Sequence, residues 1–325
     1  MALLHFTARR IAQMVVTIVI IVPLTFLLFR AVPGDPGAAV IGPDLDPSVA
    51  ETLRERYGLD EPLAVQFTRY LGGLVQGDLG MSFQYKQPVG DILLGKLVNT
   101  AVLVVPAITL ALVLGTALGA LAARRRGLLD ALLRNGAFVA KASPVFWTAT
   151  LGLLLFSYRL EWLPSIGMST PGQGAAGAGP ALFASPDFWW HLILPLAVMT
   201  LYLVPEPMLT MRTAMAEIMH EDFIALGRAQ GMSTARSTYL HAARNAMLPV
   251  VSLMPALTGV IIGGQVIIET IFSWPGMGRT IVDAVNTFDY PMMQGVFLLT
   301  ALMAVAVNAV IDVLYAYLDP RVRLS

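Results

Sequence analysis

The sequence predicts an all-α, polytopic membrane protein with six transmembrane helices, and three observations carry that prediction. Only 13% of the 325 residues are charged while 56% are hydrophobic, against about 25% charged in a soluble domain. That is too little charge to clothe a soluble globule of this size, and mean hydropathy is accordingly high at +0.70. The apolar residues fall into six runs, each near the roughly 20 residues that a helix needs to cross about 30 Å of hydrocarbon. The 28 Gly and 21 Pro interrupt those runs often, as they do in membrane helices more than in soluble ones. Lys+Arg and Asp+Glu are both 21, so no basic surplus points to nucleic acid. Cys is absent, which excludes disulfides, thiolate metal sites and cysteine nucleophiles.

The runs cover residues 11–29, 100–123, 132–158, 191–211, 247–272 and 293–317. The first follows Arg9-Arg10, as a signal peptide would, but it exceeds the usual 7–15 residue apolar core of such a peptide and no small-x-small site follows, so a retained helix is expected. Lys141 and Pro144 interrupt the third run. Orientation follows the basic residues. With the N-terminus inside, the inner segments hold twelve arginines, whereas the two short outer loops hold only Arg159 and Arg279. Both termini are therefore expected in the cytoplasm.

Four parts result: an N-terminal helix over 1–32, a small external domain over 33–98, a five-helix core over 99–317, and a tail over 318–325. The external segment carries a helix-favouring acidic stretch at 47–57 and a glycine-punctuated turn at Gly77-Asp78-Leu79-Gly80. Residues 167–179 form a low-complexity Gly/Ala tract. No internal repeat is visible, so the inverted-repeat signature of many secondary transporters is missing.

Several motifs mimic chemistry without its context. Gly90 to Lys96 matches the first seven positions of a phosphate-binding loop, but Leu97 replaces the metal-coordinating hydroxyl and no strand precedes it. A GxGxxG match at Gly172–Gly177 sits inside the Gly/Ala tract with no βαβ unit. His220-Glu221 lacks the second histidine of a zinc protease. No catalytic constellation remains, and the chain is expected not to be an enzyme, nor to bind a metal or cofactor itself.

The polar residues inside the runs are more informative. Lys141, Glu206 and Asp312 lie within spans, where an unpaired charge costs several kcal/mol or distorts the bilayer. Lys141 and Glu206 either pair, line a water-filled path separately, or sit nearer the membrane edge than the runs suggest. Pro205 and Pro207 flank Glu206, so a kink is expected there. Gly115 and Gly119, with Ala111 and Ala123, make one face of the second span small enough for close helix approach. The inner loop over 213–246 is too long for a hairpin. In it Phe223, Leu226 and Ala229 share one helical face, Glu221, Asp222 and Arg228 lie around it, and Gly231 is placed to stop the helix. Such a helix suits either a lipid surface or a groove on a partner.

That loop, Glu221-Asp222-Phe223-Ile224-Ala225-Leu226-Gly227-Arg228-Ala229-Gln230-Gly231 followed by His241 to Pro249, resembles the ATPase-docking loop of the oligopeptide/dipeptide ABC-importer permeases. The resemblance runs along nearly the whole chain. It includes Pro33-Gly34-Asp35-Pro36, Tyr57 to Pro62, Gly77 to Gly80, Ser143-Pro144-Val145-Phe146-Trp147, Gly263-Gly264, Glu269 to Gly278, Asp289-Tyr290-Pro291 and Asp319-Pro320-Arg321. Ala225-Leu226-Gly227 departs from the EAA triplet of importers in general, and Ala225 stands where the peptide branch has arginine. The outer-loop signatures are similar to those of the B-type permease of the pair.

The resemblance implies a type I ABC-importer permease fold in the bacterial inner membrane. It implies four kinds of partner: a homologous C-type permease, two ABC ATPase subunits that use ATP and Mg, an extracytoplasmic peptide-binding protein, and a peptide substrate. Glu221, Asp222, Phe223, Arg228 and Gly231 would form the coupling helix. Lys141 and Glu206 would be translocation-path or intramembrane polar positions, Asp312 is expected to cap or pair with a neighbouring helix rather than bind substrate, and Asp78, Trp274 and Asp289 would be external docking positions. The alternative is an ion-coupled secondary transporter with Lys141, Glu206 and Asp312 as its relay; a non-transporting membrane scaffold is a further one.

Overall fold

The computed structural model describes residues 2–31, 58, 60–125, 127–172 and 180–318. The expected helix at 47–57, the motifs Pro33–Pro36 and Asp319–Arg321, and most of the Gly/Ala tract lie outside them. Among the described residues the regular structure is helical, with one isolated antiparallel bridge between Met81 and Pro88. The main helices are α1 (Ala2–Ala31), α2 (Leu63–Val75), α3 (Val89–Arg124), α4 (Leu128–Ala142), α5 (Val145–Gly152) and α6 (Pro186–Leu203). They continue with α7 (Pro205–Ile218), α8 (Asp222–Ala229), α9 (Ala243–Val251), α10 (Met254–Ile271), α11 (Met277–Asn286) and α12 (Tyr290–Leu318).

Four stretches are long and apolar enough to cross a membrane: Ala12–Arg30, Val89–Arg124, Pro186–Ile218 and Tyr290–Ala309. A fifth is the pair Leu128–Ala142 and Val145–Arg159, bent by 102°. The sequence predicts one continuous third span there, and the bend corrects it. Ser143, ahead of Pro144, adopts φ −77° and ψ 125°, because the proline ring crowds a helical residue before it. Proline at 205 acts more gently: Val204 keeps helical angles of −56° and −37°, and α6 and α7 count as one stretch. The predicted fifth run is occupied by α9 and α10. Threonine hydroxyls at 25, 109, 116, 150 and 213 donate to the carbonyl four residues back, which satisfies them where no water competes.

The chain falls into two compact units. One comprises Met1–Thr100 with Pro275–Ala309. Its core gathers Phe29, Phe83, Val89, Leu93, Met292, Met293 and Val296. Gly295 is required there by space: a Cβ would lie 2.5 Å from Val89 Cγ1. Phe26 anchors α2 to the end of α1, with ring centroids 5.1 Å from Phe67 and 5.9 Å from Tyr70.

The other unit comprises Ala101–Trp274 with Val310–Arg323. Its largest core holds Leu103, Ala107, Phe188, Leu192, Met199, Leu203, Phe272 and Trp274, and the Phe188 and Trp274 centroids are 5.9 Å apart. The small-residue face of α3 packs inside this unit. A Cβ on Gly115 would come 2.7 Å from Pro207 Cγ, and one on Gly119 would come 2.8 Å from Met211 Cβ. Close backbone approach is what binds helices when the surroundings are themselves apolar. Asp130 of α4 and Arg212 of α7 add a two-pronged ion pair, with Nη2 2.6 Å from Oδ2.

Candidate functional site

The inner loop is organised around one buried side chain. α7 ends at Ile218, and α8 begins at Asp222. Ile224, 2% exposed, seats in a cluster with Met211, Met215, Ala242, Ala246 and Val250, and so ties α8 to the α7–α9 pair. Gly227 is the other buried position, and most of the remaining helix faces outward among the described residues. Phe223 is 48% and Leu226 60% exposed, with Ala229 exposed beside them, so the apolar stripe read from the sequence is presented rather than packed. Glu221 and Asp222 are exposed at the N-terminal end, where carboxylates favour the positive end of the helix dipole. Arg228 lies in the last turn.

Gly231 stops the helix by geometry. Its φ is +88°, and open space surrounds the position a Cβ would take, so the requirement is conformational rather than steric. Met232 N–H donates to the Gly227 carbonyl at 3.0 Å, the six-to-one bond of a Schellman stop. Both ends of this two-turn helix are thus defined while its apolar stripe is open.

The intramembrane candidates separate. Lys141 Nζ lies 2.6 Å from Glu206 Oε1, joining the last turn of α4 to the first turn of α7. Their side chains remain 52% and 40% exposed, so the pair borders space outside this unit instead of closing its core. A hollow of about 320 Å³ opens at the α4–α5 bend, lined by Ser143, Trp147, Thr148, Leu151, Leu201 and Tyr202 among others. The Tyr202 ring rests on Gly264, where a Cβ would come within 2.7 Å of it. Asp312 lies in α12.

The three external candidates divide. Asp78 is exposed, and its Oδ1 accepts the Gly80 N–H at 2.8 Å across a tight turn. Trp274 and Asp289 are fully buried, which corrects their expected place on a docking surface. Trp274 fills the core beside Phe188. Asp289 ties two segments together: Oδ2 accepts from the Ser82 hydroxyl and from Gln84 N–H at 3.1 Å, while Oδ1 accepts Met292 N–H at 3.2 Å and caps α12. Ser82 is the partner that sequence reasoning missed; 207 positions separate it from Asp289, and no local pattern links them. Nearby, Tyr85 is pushed up from the usual phenol range by burial and by the carboxylates of Asp283 and Asp289, against an opposing pull from Arg279.

Residues 90–96 are helical from the start of α3, not a phosphate-cradling loop. Among the described residues no group of three His, Asp or Glu is placed to hold a metal ion.

Two family models match the chain: "Binding-protein-dependent transport system inner membrane component" over residues 115–324 and the N-terminal component of the same system over residues 3–104. The chain belongs to this family. Among curated relatives, a protein of Brucella suis provisionally named a peptide permease is 38% identical over 306 residues, covering 93% of each chain. The glutathione transport system permease protein GsiC of Escherichia coli K12 is 33% identical over 322 residues, covering 99% of each. The chain is therefore an inner-membrane permease component of an ABC-type, binding-protein-dependent transport system. Such a component supplies the membrane passage and is not the catalyst of the system.

Proposed function

We propose that this chain is the B-type permease subunit of an ATP-driven importer of small peptides or peptide-like solutes. In this reading it crosses the membrane six times with both termini in the cytoplasm, residues 33–98 form an external domain, and a C-type permease supplies the other half of the passage. Two ATPase subunits bind ATP and Mg; this chain binds no cofactor. An external binding protein delivers the substrate, and relatives named for peptide and for glutathione transport support that substrate class.

The observation that carries the proposal is the exposed Phe223–Leu226 face on a helix pinned from behind by Ile224. An apolar stripe of this kind seats in a groove. Because α8 is short, stopped at its C-terminal end by Gly231 and fastened to the α7–α9 pair, a push on it is transmitted to those helices rather than absorbed by bending. ATP-driven closure of the ATPases then needs only to change the relative stability of two packings of the transmembrane helices. The Lys141–Glu206 pair fits the same reading: half-exposed charges inside a span require water or a partner subunit, not hydrocarbon.

The test is uptake in proteoliposomes holding this chain with its permease, ATPase and binding-protein partners. Import is expected to require ATP on the cytoplasmic side and to survive collapse of ion gradients by ionophores. Uptake that persists without ATP and stops with the ionophore would establish the ion-coupled alternative instead.

A further inference from the structure

Arg30 closes the apolar stretch Ala12–Arg30 and has an unusual setting for a cation. Its guanidinium carbon lies 5.5 Å from the Phe26 ring centroid and 5.2 Å from that of Tyr290. Its Nε is buried and has no hydrogen-bond partner, and among the described residues no carboxylate pairs with it. Tyr70 of α2 stacks on the same Phe26 ring, and its hydroxyl is also buried and without a partner. Burial pushes that phenol up to about 12, so it remains a hydrogen-bond donor throughout the physiological range. Two unused donors thus lie beside one aromatic ring, and neither has an acceptor among the described residues.

Cation–π contact stabilises a guanidinium but satisfies none of its N–H donors. The complementary group is an anionic oxygen, and a planar guanidinium matches phosphate geometry well. The surroundings point to where that oxygen comes from. Val19, Ile20, Leu24, Leu27 and Leu28 are each more than half exposed along α1, an apolar face leading straight to Arg30. At the end of such a face the bilayer presents its headgroups.

We propose that Arg30 and Tyr70 hold the phosphate of a phospholipid headgroup at the α1–α2 junction. This goes beyond the transport reading and does not depend on it, because neither residue touches the coupling loop. The bound lipid completes the donors that the fold leaves open and fastens α2 to the membrane end of α1.

Native mass spectrometry of the intact, detergent-purified transporter tests it, with phosphatidylglycerol titrated in after delipidation. Arg30→Gln is expected to weaken lipid retention about tenfold or more, the scale of one charge-assisted hydrogen bond. Tyr70→Phe removes a hydroxyl while keeping the stacked ring, so it tests the site without threatening the fold; it is expected to weaken retention by about threefold to tenfold. Arg30→Lys, which keeps the charge but loses the planar fork, should fall between wild type and Arg30→Gln. Retention unchanged in both Arg30→Gln and Tyr70→Phe would overturn the proposal. Displacement of the lipid by millimolar inorganic phosphate alone would overturn the lipid as source and leave a soluble anion in its place.

Discussion

Residues 222–231 and the knot formed by residues 78–85 with 284–293 make opposite use of the same materials: a carboxylate, a few glycines and an aromatic or two. In the knot the central carboxylate is turned inward. Asp289 is fully buried and takes three donors, two from the distant stretch 82–84 and one from its own α12, so its motif holds the fold. At α8 the carboxylates Glu221 and Asp222 and the apolar Phe223 and Leu226 are turned outward, and the large side chain committed to the core is Ile224. A short polar motif is therefore structural or partner-facing according to burial, and burial is set by segments far away in sequence.

The largest expected effect breaks the outward-facing side. Leu226→Asp or Phe223→Asp places a charge where an apolar groove must close, and a central interface anchor is worth about 2–4 kcal/mol. ATP-driven import should fall roughly thirtyfold or more, while the melting temperature of the isolated permease changes little because both side chains are already exposed. A variant that melts much lower would show that the face packs inside the protein. Asp289→Ala attacks the inward-facing side. It strands two backbone donors and one hydroxyl, each costing about 1–3 kcal/mol, so the outcome to look for is loss of folded yield and thermal stability before any transport defect.

Gly231→Ala sharpens the comparison within α8 itself. The position has room for a methyl group but a φ of +88°, so the substitution should cost about 1–2 kcal/mol of local stability through backbone strain. Faster amide exchange over 227–232 with wild-type exchange in α12 would be its signature. Gly231→Pro is harsher, since its ring cannot reach that φ, and is expected to uncouple ATP hydrolysis from import.

The smallest effect concerns alkali. Tyr70 ionises near 12 in the fold against about 10 in an unfolded chain. The fold thus binds this proton more tightly, and the stability so linked is intact below pH 10 and lost as pH rises toward 12. Absorbance at 295 nm should show a component titrating near 12 that Tyr70→Phe removes.

Much of this architecture was legible in the sequence because apolar runs report the bilayer directly, and α8 was legible because its stripe and its glycine stop are local. The bend at Ser143–Pro144 was only half legible. Pro144 and Pro205 look alike in sequence, yet Ser143 left the helical region and Val204 did not, and packing around each decides which. Trp274 and Asp289 were misread as surface groups because nothing near them in sequence reveals Phe188 or Ser82. Arg30 and Tyr70 escaped notice for the same reason: their shared ring, Phe26, joins two helices whose contact no local pattern announces.

The central claim is that α8 seats in a motor subunit. A photo-crosslinking amino acid at position 226 in the intact, membrane-embedded transporter tests it most directly, since Leu226 is more exposed than Phe223, the other large apolar residue on that face. Irradiation should attach this chain to an ATPase subunit, with a yield that changes when ATP is added. Crosslinks to lipid alone, unchanged by ATP, would contradict the account.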